Sequence, residues 1–160
     1  MSIKDRLNTH RDLLRKIQHL ERQLEDLRED LPLPTTIDLS RASVQGGEKS
    51  DHLPLKLHQI ETISRELDSL YVLRDQEHDE LWKTVHSLAS VTEVFVLRSH
   101  HFSLQPREEI ARQLFENEED FKQRRKYYLS RVSQLRSRAI RKLCNAEQAK
   151  AKPRKAVQSI

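Results

Sequence analysis

A 160-residue chain with 34% charged, 36% hydrophobic and 5% aromatic side chains, and a mean hydropathy of −0.80, is too polar for one large globular core. It suits long, partly solvated helices that each bury a single stripe. Cys144 is the one cysteine, which excludes an intrachain disulfide and fits a reducing compartment. No run of about 18 apolar residues offers a membrane span, and the chain does not open on an apolar signal core, so a soluble cytoplasmic protein without a membrane partner is expected.

The net charge of +4 hides a segregation. Residues 1–120 hold 16 Lys+Arg against 24 Asp+Glu, whereas 121–160 hold 13 Lys+Arg against Glu147 alone. Positive charge gathered at one end is the electrostatic footprint of a nucleic-acid site. A solvated basic tail is the plainer reading of the same run.

Taken in chain order, residues 3–31 repeat apolar side chains at 4-3 spacing through Leu13, Ile17, Leu20, Leu24, Leu27 and Leu31, with Ile3, Leu7 and Leu14 widening the seam. Ser2 and Asp5 form a capping-box pattern, and Pro32 and Pro34 end the helix. Residues 32–52 read as a long connection whose stretch 46–51 is expected to be mobile. A second helix starts near Pro54 and runs to about Leu88 on the stripe Leu57, Ile60, Ile63, Leu67, Leu70, Leu81, Val85 and Leu88. The polar run 74–79 interrupts it, either as a kink or exposed length or as a polar layer that fixes register. The two helices read as an antiparallel hairpin that buries little by itself, so homodimerisation through 3–31 and 54–88 is expected, with a four-helix bundle as one outcome.

Ser90 and Glu93 repeat the S-x-x-E pattern and predict a helix from Val91 to about His101, with Val91, Val94, Phe95, Leu97 and Phe102 as core. Pro106 opens a helix over Arg107–Phe115, with Glu108 and Glu109 in its first turn and Ile110, Ala111 and Leu114 facing inward. Residues 116–120 form a turn. A last helix runs from about 121 to 149 on Tyr128, Val132, Leu135, Ala139 and Leu143, and the basic tail 150–160, broken by Pro153, is expected to be disordered. The expected architecture is therefore all-α: a helical hairpin over 1–89, a helix-turn-helix domain over 90–149, and the tail.

With Leu135 at the centre of the buried stripe and 100° per residue, Lys126, Ser130, Ser133 and Ser137 point outward, flanked by Gln134 and Arg141, while Arg131 and Arg138 lie nearer the core edge. In a helix-turn-helix the exposed N-terminal half of the second helix reads base edges in the major groove. Gln suits adenine, Arg suits guanine or phosphate, and small Ser residues allow close approach. Arg124, Arg125, Lys126, Arg141 and Lys142 are expected to hold phosphates, giving affinity rather than sequence choice.

The order of these parts, with Glu108-Glu109-Ile110-Ala111-x-x-Leu114 followed by a helix ending Arg138-Ala139-Ile140-Arg141-Lys142-Leu143, resembles the RinA/ArpU-like regulators of late transcription in phages of Gram-positive bacteria. The segment Gln23-Leu24-Glu25-Asp26-Leu27-Arg28 before the Pro-containing linker is similar to that group as well. The resemblance covers most of the chain in order and size. It implies a sigma-factor-like C-terminal helix-turn-helix, with 107–115 as its first helix and 128–143 as the recognition helix. It also implies an activator of phage late genes that binds double-stranded DNA in the host cytoplasm and acts with host RNA polymerase. The chain departs from the pattern at 116–127, where three or four turn residues are usual, so the recognition helix is extended backwards or the turn carries an insert.

Other chemistry finds little support. His100 and His101 point about 100° apart on a helix and cannot easily share an ion, and the remaining histidines are scattered without a CxxC-type partner set. Paired carboxylates such as Glu118-Glu119 sit in a solvated turn, and neither a Gly-rich phosphate loop nor a GxSxG nucleophile occurs. Trp82 reads as a core or interface residue. No cofactor and no enzymatic activity are expected. Two alternatives of different class remain: a coiled-coil DNA-packaging protein resembling small terminase subunits, or another structural protein that holds DNA non-specifically, and a coiled-coil adaptor whose basic tail binds an acidic partner.

Overall fold

The computed structural model describes residues 1–31 and 52–151, so the expectations for 32–51 and for the tail from 152 lie outside the described residues. Among the described residues the protein is all-α, with α1 Ile3–Glu29, α2 His52–His86, α3 Val91–His101, α4 Arg107–Phe115 and α5 Arg125–Ala151. None of these helices is long and apolar enough to cross a membrane.

The helix starts follow from local chemistry. At α1 the Asp5 amide donates to Ser2 Oγ and the Ser2 amide donates to Asp5 Oδ2, each at 3.3 Å, which satisfies two otherwise unpaired donors. At α3 the Glu93 amide donates to Ser90 Oγ at 3.4 Å. Pro106 stands at the entrance of α4, where a missing N–H costs nothing. Between α3 and α4, Leu104 takes a left-handed conformation, φ 53°, and the Gln105 amide donates to the Ser99 carbonyl at 2.9 Å. That backbone state usually falls to glycine, so a leucine here stores about 1–2 kcal/mol of strain in fixing the turn.

Packing divides the chain into two compact units, and the division does not fall at the expected 89/90. One unit is Arg15–Leu73. In it α1 buries Ile17, Leu20 and Leu24, and α2 buries Leu67 and Leu70. Lys16 pairs with Glu66 at 2.7 Å, the Tyr71 hydroxyl donates to Glu21 at 2.6 Å, and Lys56 reaches Asp30 at 3.4 Å, which ties the two segments together. These pairs are exposed and contribute at most about 1 kcal/mol each. Leu57, expected in the α2 stripe, is exposed, as are Leu55, Val72 and Leu73.

The other unit joins Met1–Leu14 to the chain from Arg74 onward. Its main core cluster takes Ile3 and Leu7 from α1, Leu81 and Val85 from α2, Leu97 from α3, and Ala139 and Leu143 from α5. A second cluster, Val96, Ile110, Ala111 and Val132, locks α3, α4 and α5 together, with Phe115 and Phe121 packed against it. Ala111, fully buried, lets the helices approach closely. The polar run of α2 leaves Asp75, Gln76 and Asp79 exposed and Arg74, Glu77 and His78 half-buried. Helix α2 continues through it, the Arg6 guanidinium donates to Glu77 at 3.0 Å and Glu80 at 2.8 Å, and His78 stacks on Trp82. Trp82 is further flanked by His86 and Phe102, with the Arg98 guanidinium over its ring. Val91, expected in the core, is exposed. The buried residues of α3 are Glu93, Val96, Leu97, Ser99, His100 and His101.

Two of the histidines this unit buries, His10 and His101, make it acid-sensitive. His10 is 1% exposed, and neither ring nitrogen has a hydrogen-bond partner. Burial, then His78, holds it below its usual value. His101, equally buried, donates from Nδ1 to the Leu7 carbonyl at 3.2 Å. Desolvation, reinforced by Arg136 and Arg11, pushes it down to about 4. Both groups bind a proton more readily unfolded than folded, so stability is complete above pH 6.5 and is lost as pH falls from there towards 4. His101 alone contributes a loss of about 2 kcal/mol between pH 7.5 and 5, and His10 adds in the same direction. Urea unfolding at the two pH values measures this. A midpoint that does not move would show that these imidazoles are not neutral in the fold.

Candidate nucleic-acid interface

Helix α5 begins at Arg125, four residues later than the sequence indicates. Residues 116–124 are a series of turns, and α5 takes in 125–127 ahead of the expected recognition helix 128–143. Asp120 organises it: the Tyr128 hydroxyl donates to one carboxylate oxygen at 2.5 Å and Arg124 to the other at 3.0 Å. These two bonds hold Asp120 below the usual carboxylate range, and the bond to Asp120, with desolvation, pushes the Tyr128 phenol up to about 12. Phe121 anchors the same insert against Tyr128, with ring centres 5.5 Å apart.

Along α5, Tyr128, Val132, Ala139 and Leu143 are buried as expected, and Leu135 is half-buried. The opposite side carries Ser130, Gln134, Ser137 and Arg141 in one exposed stripe, with Arg131 and Arg138 exposed beside it. Lys126 and Arg125 are exposed in the first turn. At 1.5 Å per residue the face from Lys126 to Arg141 is about 22 Å long. Among the described residues none of Arg125, Lys126, Arg131, Arg138 and Arg141 forms an ion pair. The first acid on the helix is Glu147, and its carboxylate accepts from the Ile3 amide at 3.1 Å.

Three of the expected contact residues also pair with other side chains of the fold. Ser133 is half-buried, donates to the Leu129 carbonyl and accepts from Arg107, both at 3.3 Å, which ties α4 to α5. Lys142 gives its ammonium to both carboxylate oxygens of Glu93 at 2.8 Å, and that carboxylate is only 3% exposed. Arg124 stands outside the helix, paired with Asp120 and lying 4.4 Å from the centre of the Tyr127 ring. A buried anion 49 residues away, and an aspartate that captures its i+4 neighbour, leave no mark in hydrophobic periodicity.

The first turn of α5 has two cations and no acid, which opposes the helix dipole. The same arrangement, amide N–H groups and cations at one helix start, favours a phosphate. His100 and His101 do not form a metal pair. His101 faces the Leu7 carbonyl, and the Arg136 guanidinium donates to His100 Nε2. Among the described residues no three His, Cys, Asp or Glu side chains come together in a way that could hold a metal ion. Compared with models of known protein families, with curated proteins and with solved structures, the chain matches none.

Proposed function

We propose that the chain is a double-stranded DNA-binding protein that lays α5 in the major groove. We propose further that it activates phage late genes by sequence-specific binding beside host RNA polymerase. One observation carries the DNA reading: the outward face of α5 presents Arg131, Arg138 and Arg141 unpaired, with Ser130, Gln134 and Ser137 between them and no acid before Glu147. Cations at that spacing hold phosphates, the amide of Gln134 suits an adenine edge, and the serines leave room for close approach. The activator role rests on the resemblance noted above. A homodimer formed through 3–31 and 54–88 would cover Leu55, Leu57, Val72 and Leu73 and place two such helices on one site.

Duplex binding across a salt series tests this. Replacing Arg131, Arg138 and Arg141 together with Ala should weaken binding at least ~100-fold and flatten the salt dependence, since each lost phosphate contact removes about 0.9 from the slope. Unchanged affinity would exclude this face. Sequence-specific activation predicts a site bound ~10³-fold or more above random duplex. In that case Gln134→Ala changes base preference at one position rather than affinity for all duplexes. Equal affinity for every duplex would favour the non-specific packaging alternative.

A further inference from the structure

The first three turns of α1 and the middle of α5 enclose a cleft of about 410 Å³ whose character the charge segregation of the sequence conceals. Residues 1–120 are acidic on balance, yet the α1 side of this cleft is Lys4, Asn8 and Arg11, one stripe at i, i+4 and i+7. The α5 side brings Arg136 and Arg141. Four cations thus line one depression, and among the described residues no carboxylate lines it. Its volume is roughly that of a dozen waters, enough for one hydrated oxyanion.

His101 supplies a second, independent observation. It forms part of the wall and is 1% exposed. Its Nδ1 is committed to the Leu7 carbonyl, and its Nε2 is buried with no hydrogen-bond partner. A buried imidazole nitrogen without a partner is costly, and a ligand oxygen would satisfy it by drawing a proton onto the ring. Burial first, with Arg136 and Arg11 adding to it, holds this ring neutral in the absence of an anion.

We infer that this α1–α5 cleft is a phosphate-binding site, and that it takes a backbone phosphate of the same duplex that meets the outer face of α5. The second clause rests on the DNA reading above. Its ground is that Ser137 and Arg141 line the cleft and also stand in the exposed stripe, so a strand tracking along α5 reaches Lys4 and Arg11 next. The N-terminal helix then contributes DNA contacts of its own.

Lys4→Glu is the test, because Lys4 is exposed and its replacement disturbs no core contact. Arg22→Glu, equally exposed on α1 but outside the cleft, makes the same charge change and controls for net charge. Lys4→Glu should weaken duplex binding ~10-fold beyond Arg22→Glu and lower the salt slope by about one. If the wild type binds duplex and the two variants behave alike, the cleft is not a DNA contact, while the function reading survives. If the wild type binds no duplex, the function reading fails, and titration with inorganic phosphate at constant ionic strength decides the cleft by itself. A saturable shift of the His101 ring signals, lost in Lys4→Glu, then establishes a site for free phosphate. No shift overturns the site altogether.

Discussion

Leu7→Ala is expected to destabilise the unit that carries α3, α4 and α5 by about 3 kcal/mol, although Leu7 is more than eighty residues from α3 in the chain. The side chain is fully buried, and it shares a cluster with Leu81, Val85, Leu97, Ala139 and Leu143. Removing it costs the transfer of its methyl and methylene groups plus a cavity that rigid neighbouring helices cannot close. Its carbonyl also holds the His101 ring in place. For a chain of this size the melting temperature should fall by roughly 6–12 °C. Val91→Ala, at an exposed position on α3 outside the proposed dimer segments, should change stability by no more than about 0.5 kcal/mol. Thermal unfolding of the two variants separates an α1 that merely precedes α3, α4 and α5 from one whose first turns complete their core. Equal, small effects would show that the start of α1 is dispensable.

That division was not legible in the sequence, because Ile3 and Leu7 simply extend the 4-3 seam of Leu13 to Leu31 toward the N-terminus. Periodicity reports that a face is buried and is silent about its partner, so Leu7 and Ile17 look alike although they belong to different units. Where local chemistry decides, the reading was sharp. Ser90, Pro106 and the acids after it place α3 and α4 at the observed residues. Where polar groups are buried, it failed. The buried residues of α3 are Glu93, Val96, Leu97, Ser99, His100 and His101, which a hydrophobicity pattern misses because four of the six are polar. The same blindness set the start of α5 too early, since the Asp120 bonds to Arg124 and Tyr128 end the turns only at Arg125. It also hid the cationic cleft, which needs residues 4–11 and 136–141 to meet.

Lys142 offers the second large effect, and it separates folding from binding within one basic run. Sequence grouped it with Arg141 as a phosphate contact, and in the fold its ammonium is the hydrogen-bond partner of both Glu93 oxygens. Lys142→Met should therefore cost about 2 kcal/mol, the penalty for leaving a buried acceptor unsatisfied, with the half-exposed position of the lysine keeping it below the cost of breaking a wholly buried pair. Glu93→Gln in the same chain should recover part of that loss, because a neutral amide is cheaper to leave unpaired than a carboxylate. Duplex binding should respond the other way round. Arg141→Ala lowers the salt slope by about one, while Lys142→Met, measured below its unfolding midpoint, leaves the slope unchanged. A Lys142→Met protein as stable as wild type but with a flattened slope would make this lysine a DNA contact after all and leave Glu93 to be explained by another partner.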